Sequence, residues 1–114
     1  MSKDMEDKEK HLLVLTTCPG TITAKKIANE VVLENLGACV QIIPGVQSFF
    51  RWVNRVDTSD ELLLIIKTTS ERYPELEKRV MAIHPYEVPE LIAIPISDGL
   101  DQYLQWIETN STPK

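Results

Sequence analysis

The chain has no apolar run near the roughly 20 residues needed to cross a bilayer, and its opening, MSKDMEDKEK, has no apolar centre of the kind a secretory signal carries. Both absences point to a cytoplasmic protein with no membrane partner. Positive charge is also short: 12 Lys and Arg against 17 Asp and Glu leave a net charge of −5, and the basic residues are scattered instead of forming a stripe that could follow a phosphate backbone. Nucleic acid is excluded as an expected partner. Cysteine is limited to Cys18 and Cys39, which a reducing compartment keeps as thiols, with Cys39 expected to be buried. There is no Gly-x-Ser-x-Gly elbow and no cysteine beside a histidine, so nothing announces nucleophilic catalysis.

What remains is enough for one core. At 114 residues and 43% hydrophobic, the chain reads as a single domain over 11–109, between a charged, mobile N-terminal tail at 1–10 and a short polar tail at 110–114. The sequon Asn110-Ser111-Thr112 has no meaning without a route to the secretory pathway. Leu12 to Leu15 predicts a first strand ending at Thr16-Thr17-Cys18-Pro19-Gly20, an ordinary capped turn more than an anion cradle, since the Gly-Lys-Thr ending of a phosphate loop is missing. Ala24, Ile27, Ala28, Val31, Val32 and Leu36 mark a helix that Gly37 would close in a left-handed cap. Cys39 to Val53 and Glu61 to Thr68 read as hairpin arms around a turn at Asp57 to Asp60, the first arm bent at Pro44-Gly45.

A second helix capped by Ser70 buries Tyr73, Leu76, Val80 and Ile83; an edge strand lies within Val88 to Ile96, between Pro89 and Pro95; a final helix repeats at Leu100, Tyr103, Leu104 and Ile107. The order βαββαβ plus a C-terminal helix is α+β, matching the ferredoxin-like split βαβ. Leu62-Leu63-Leu64-Ile65-Ile66 is apolar without alternation, so both faces of that strand need cover. The last helix can shield part of the second face, and further copies of the chain are the simplest cover for the rest.

His84-Pro85-Tyr86-Glu87-Val88-Pro89-Glu90 places a histidine where Pro85 should end a helix, among free carbonyls. His84 and Glu87 offer a nitrogen and a carboxylate, with Cys39, Cys18 and His11 further off, and this donor set suits copper or zinc. The spacing lacks the pairs of a dedicated metal site, so capping and packing by His84 stands beside ligation as a reading.

Leu36-Gly37-Ala38-Cys39-Val40, Ile43-Pro44-Gly45-Val46, Ser48, Arg51-Trp52, Glu61, Lys67-Thr68, the stretch from His84 to Glu90, Tyr103-Leu104 and Trp106-Ile107 together resemble the CutA proteins, over nearly everything between the tails. The resemblance implies a ferredoxin-like subunit in a tight homotrimer, bacterial cytoplasmic location, tolerance of copper and other divalent ions, and no established catalytic activity or required cofactor. By it His84 matches a proposed metal ligand and Glu87 follows in the same motif; His84 is the leading candidate ligand, with Glu87 and Cys39 as lesser ones. A cysteine that some bacterial relatives carry near the end of strand one aligns with Thr16, a poor substitute toward copper. The trimer also resembles the PII signalling proteins, which opens a second reading: a sensor binding a small anion between subunits near Trp52, Lys67 and Tyr86. An unidentified protein partner fits either.

Overall fold

A computed structural model describes residues 10–114. The elements are β1 (His11–Cys18), α1 (Thr21–Leu33), β2 (Cys39–Trp52), β3 (Arg55–Thr69), α2 (Tyr73–Ile83), β4 (Ile92–Pro95) and α3 (Asp101–Asn110). The strands form one antiparallel sheet in the order β2-β3-β1-β4, which is the expected α+β, ferredoxin-like arrangement with a helix added.

Alternation along the strands decides the core. Leu12, Val14 and Cys18 of β1 and Leu64 and Ile66 of β3 face one way, and they pack with Ala24, Ile27 and Val31 of α1 and Leu76 and Val80 of α2. Helical spacing on α1 and α2 brings these side chains to one stripe each, and their removal from water is the main stabilising term. Gly37 lets α1 and the sheet approach: a Cβ there would lie 2.7 Å from Ile66 Cγ2 and 3.0 Å from Val31 Cγ1.

Several boundaries differ from the sequence reading. The hairpin turns at Val53 and Asn54, where Trp52 pairs with Arg55, while Asp57 to Asp60 lie within β3 opposite Gln47 to Phe50. Cross-strand pairing of the flanking residues overrode their turn chemistry. Helix α1 stops at Leu33, and the left-handed residue after it is Asn35 (φ 53°), not Gly37. The N-terminal cap of α2 is Arg72 instead of Ser70, with no side-chain capping bond. Instead, Arg72 reaches the end of α1, its Nε donating to Asn35 O (2.9 Å) and its Nη2 to Glu34 O (3.2 Å), as suits a cation at a helix C-terminus. The last strand lies within Val88 to Ile96 and at the sheet edge, as expected: Ile92 to Pro95 pair with β1, and the Ile96 N–H donates to His11 O.

Residues 1–9 of the expected N-terminal tail lie outside the described residues. The expected C-terminal tail is in contact with the body: Ser111 is buried, Asn35 Nδ2 donates to Thr112 O, and Lys114 pairs with Glu34. The bend at Pro44-Gly45 is present as a register shift between Ile43 and Val46, with Gly45 at φ 78°.

Two surfaces follow from this topology. Beyond the last β1 pair, Cys18 with Leu62, β2 and β3 continue alone as a two-stranded arm that exposes Phe49, Trp52, Val53 and Val56. On the sheet face away from α1 and α2, α3 covers a part: Ile107 is buried and Lys67 Nζ lies 5.5 Å from the centroid of the Tyr103 ring. Leu13, Leu15, Leu63 and Ile65 on that face are half-buried, and Ile43, Ile92 and Ile94 are exposed. No described helix is long and apolar enough to cross a membrane.

Candidate functional site

Pro85 ends α2 as the sequence predicts: Ile83 is the last helical residue, and His84 has extended geometry (φ −75°, ψ 137°) while its N–H still donates to Val80 O. His84 is 7% exposed. Its Nε2 lies 2.7 Å from Thr17 O, and its Nδ1 lies 3.1 Å from the Tyr86 backbone N. A carbonyl needs a donor and an N–H needs an acceptor, so Nε2 carries the proton and Nδ1 presents its lone pair. Strand β4 pairs with β1 only from Leu12 to Leu15, and the His84 ring takes up a carbonyl on the stretch of β1 beyond it.

Tyr86 extends the connection. Its hydroxyl donates to Glu61 Oε2 at 3.0 Å, and its ring lies 4.9 Å from that of His84 between centroids. Glu61 is 8% exposed and is the one buried carboxylate among the described residues. Burial first, and the Glu61 bond second, raise the Tyr86 hydroxyl above its ordinary pKa. Cys18 stands near the same carboxylate, and burial, then the Glu61 charge, push its thiol up to about 11. At neutral pH Cys18 is therefore a protonated thiol, a poor nucleophile and a poor metal donor.

The other residues singled out by sequence are dispersed. Glu87 is exposed, and Cys39 is half-buried, not buried, and pairs with Lys67 at the far end of β3. Thr17 pairs with Leu63, four residues along β3 from Lys67 and two strands from β2, so His84 and Cys39 are separated by roughly 13 Å along the strands and roughly 10 Å across them. Trp52 lies at the arm tip beside an open concavity of about 400 Å³ lined with Val53, Asn54 and Arg55. It is roughly 20 Å along β3 from Glu61 and Tyr86, and Lys67 is as far again in the other direction. One chain does not gather Trp52, Lys67 and Tyr86. Thr16 is fully buried, and its Oγ1 has no hydrogen-bond partner among the described residues.

Among the described residues no three His, Cys, Asp or Glu side chains are grouped to hold a metal. The sequence-favoured donors are not grouped within one chain: His84 has both ring nitrogens engaged, Glu87 is exposed, and Cys39 lies at the far end of β3. Sequence reasoning missed Glu61 as a partner of Tyr86 and Thr17 O as a partner of His84. The signal for Glu61 was an acid directly abutting the apolar run from Leu62 to Ile66. Nothing in sequence marks a backbone carbonyl 67 positions away.

His11 and Glu108 form a second polar contact, tying β1 to α3. His11 Nε2 lies 2.7 Å from Glu108 Oε2, and Lys10 Nζ lies 3.0 Å from Glu108 Oε1. The Lys10 bond first, then that of His11, hold the Glu108 carboxyl below its ordinary range.

Residues 12–110 match the family described as CutA1 divalent ion tolerance protein. The chain is 46% identical over 99 residues to the Divalent-cation tolerance protein CutA of Thermus thermophilus, covering 87% of this chain and 96% of that one. It is 44% identical to the chloroplastic Protein CutA of Arabidopsis thaliana, covering 95% of this chain but only 60% of the plant protein. A solved structure of the divalent cation tolerance protein Cut A1 from Thermus thermophilus superimposes with a TM-score of 0.88 at 45% identity, over 90% of this chain and 99% of that one.

Proposed function

The chain belongs to the CutA1 divalent ion tolerance protein family, and on that premise we propose that it serves divalent-cation tolerance as a homotrimer that binds metal at the boundaries between copies. The observation that carries this reading is the dispersal of donors within one chain. A copper or zinc ion takes about four ligands, and no three are grouped among the described residues. A closed symmetric assembly supplies the remainder from neighbouring copies.

The uncovered apolar sheet face and the exposed arm residues Phe49, Trp52, Val53 and Val56 support such an assembly, since contiguous apolar patches of this kind mark interaction surfaces. Cys39 and Glu87 lead as donors, because no hydrogen bond engages either side chain among the described residues; His84 has both ring nitrogens in use. Copper is the favoured ion for a thiolate and carboxylate set, with zinc next. The protein acts by binding, not catalysis, in the cytoplasm.

Calorimetric titration of the purified chain with copper and with zinc tests this. The reading expects a saturable heat at a fixed metal-to-chain ratio that weakens in Cys39→Ser or Glu87→Gln. No saturable heat with either ion would contradict it. A sensor for a small anion between copies has less support, since Lys67 already lies over the Tyr103 ring of its own chain.

A further inference from the structure

The two-stranded arm has a defined root. Glu61 is the first residue of β3 past the last pair with β1, and it pairs with Val46, the first residue of β2 after the register shift at Pro44-Gly45. Both strands therefore lose support at one level: β3 loses its neighbour, and β2 carries an irregularity that bends the ribbon. A two-stranded ribbon is only marginally stable alone, so the root of this one needs a hold on the body of the domain.

The polar chain through His84 ends at that level. Thr17 O on β1 accepts from His84 Nε2 (2.7 Å), His84 Nδ1 accepts from Tyr86 N (3.1 Å), and the Tyr86 hydroxyl donates to Glu61 Oε2 (3.0 Å). Pro85 and Pro89 restrict the backbone on either side. All three side chains are buried or half-buried, where an unpaired carboxylate is costly and its one hydroxyl donor correspondingly valuable.

We infer that His84, Tyr86 and Glu61 form a strut that fixes the root of the β2–β3 arm to the body of the domain. They are positioning residues: the segment after α2 braces the arm at its root. Where the arm is shared between copies, which rests on the homotrimer proposed above, the strut also governs how readily copies assemble.

Hydrogen exchange on the full chain, native and Tyr86→Phe, tests the strut. Loss of one hydroxyl leaves the fold intact and frees the root, so the amides of Val46, Gln47, Asp60 and Glu61 exchange roughly tenfold faster or more, while those of Leu64 and Ile66 keep their native rates. Glu61→Gln retains an oxygen acceptor for the Tyr86 hydroxyl and stays near native exchange. Native rates at the root in Tyr86→Phe would overturn the inference, and so would equal acceleration at Leu64 and Ile66, which marks general destabilisation. Sedimentation of the native chain as a lone subunit would remove the homotrimer while leaving the local exchange result to decide the strut.

Discussion

Thr16 is fully buried on the core-facing side of β1, and its hydroxyl meets no partner among the described residues. Burying such a group costs on the order of 1–3 kcal/mol, so Thr16→Val, of nearly the same shape, raises unfolding stability by about 1 kcal/mol or more in urea titration. A lower midpoint would show that the hydroxyl finds a partner. Glu108 behaves in the opposite sense. Its carboxyl is held below the ordinary range by Lys10 and His11, so the stability it contributes is complete above the unfolded carboxylate pKa and is lost as pH falls through the lower folded value. Between about pH 5 and pH 3, the native chain should lose more stability than Glu108→Gln, by a modest margin because the carboxylate is partly exposed and screened. Parallel pH profiles of the two would indicate that the contact contributes nothing. At this scale the sequence was legible where the cause is local: Pro85 places His84 at the helix end. It was silent where the cause is tertiary, as with Thr17 O on His84 and Tyr86 on Glu61.

The elements were legible as periods and much less so as boundaries. The alternation and helical spacing that set the order of strands and helices come from burial of one face, and that order holds in the structure. Turn residues misled because strand pairing outweighs local preference: Asp57 to Asp60 are drawn into β3 by their partners on β2, and the chain reverses at Val53 with φ 57°, a left-handed value uncommon for a β-branched residue. Gly37 was read for the right residue and the wrong reason. Asn35 supplies the left-handed step, and Gly37 is required by close approach to Ile66 and Val31. Gly37→Ala should therefore destabilise by about 1–3 kcal/mol through overpacking, measured by thermal or urea unfolding. A neutral or stabilising effect would show that the contact relaxes freely.

At the scale of the whole molecule, one layer of helices covers one face of the sheet, and the C-terminal helix covers part of the other. Leu63 and Ile65 were legible as needing cover because they interrupt the alternation of β3, and the structure leaves them half-buried beside exposed Ile43, Ile92 and Ile94. The arm adds Phe49, Trp52, Val53 and Val56 to the unpartnered apolar surface. The closed assembly of identical copies proposed above would cover this apolar surface and bring donors together at its seams. Sedimentation of the purified chain at submicromolar concentration, without added metal, decides it. A single species of three times the chain mass that persists on dilution is the predicted result; a well-folded lone subunit under the same conditions would contradict it.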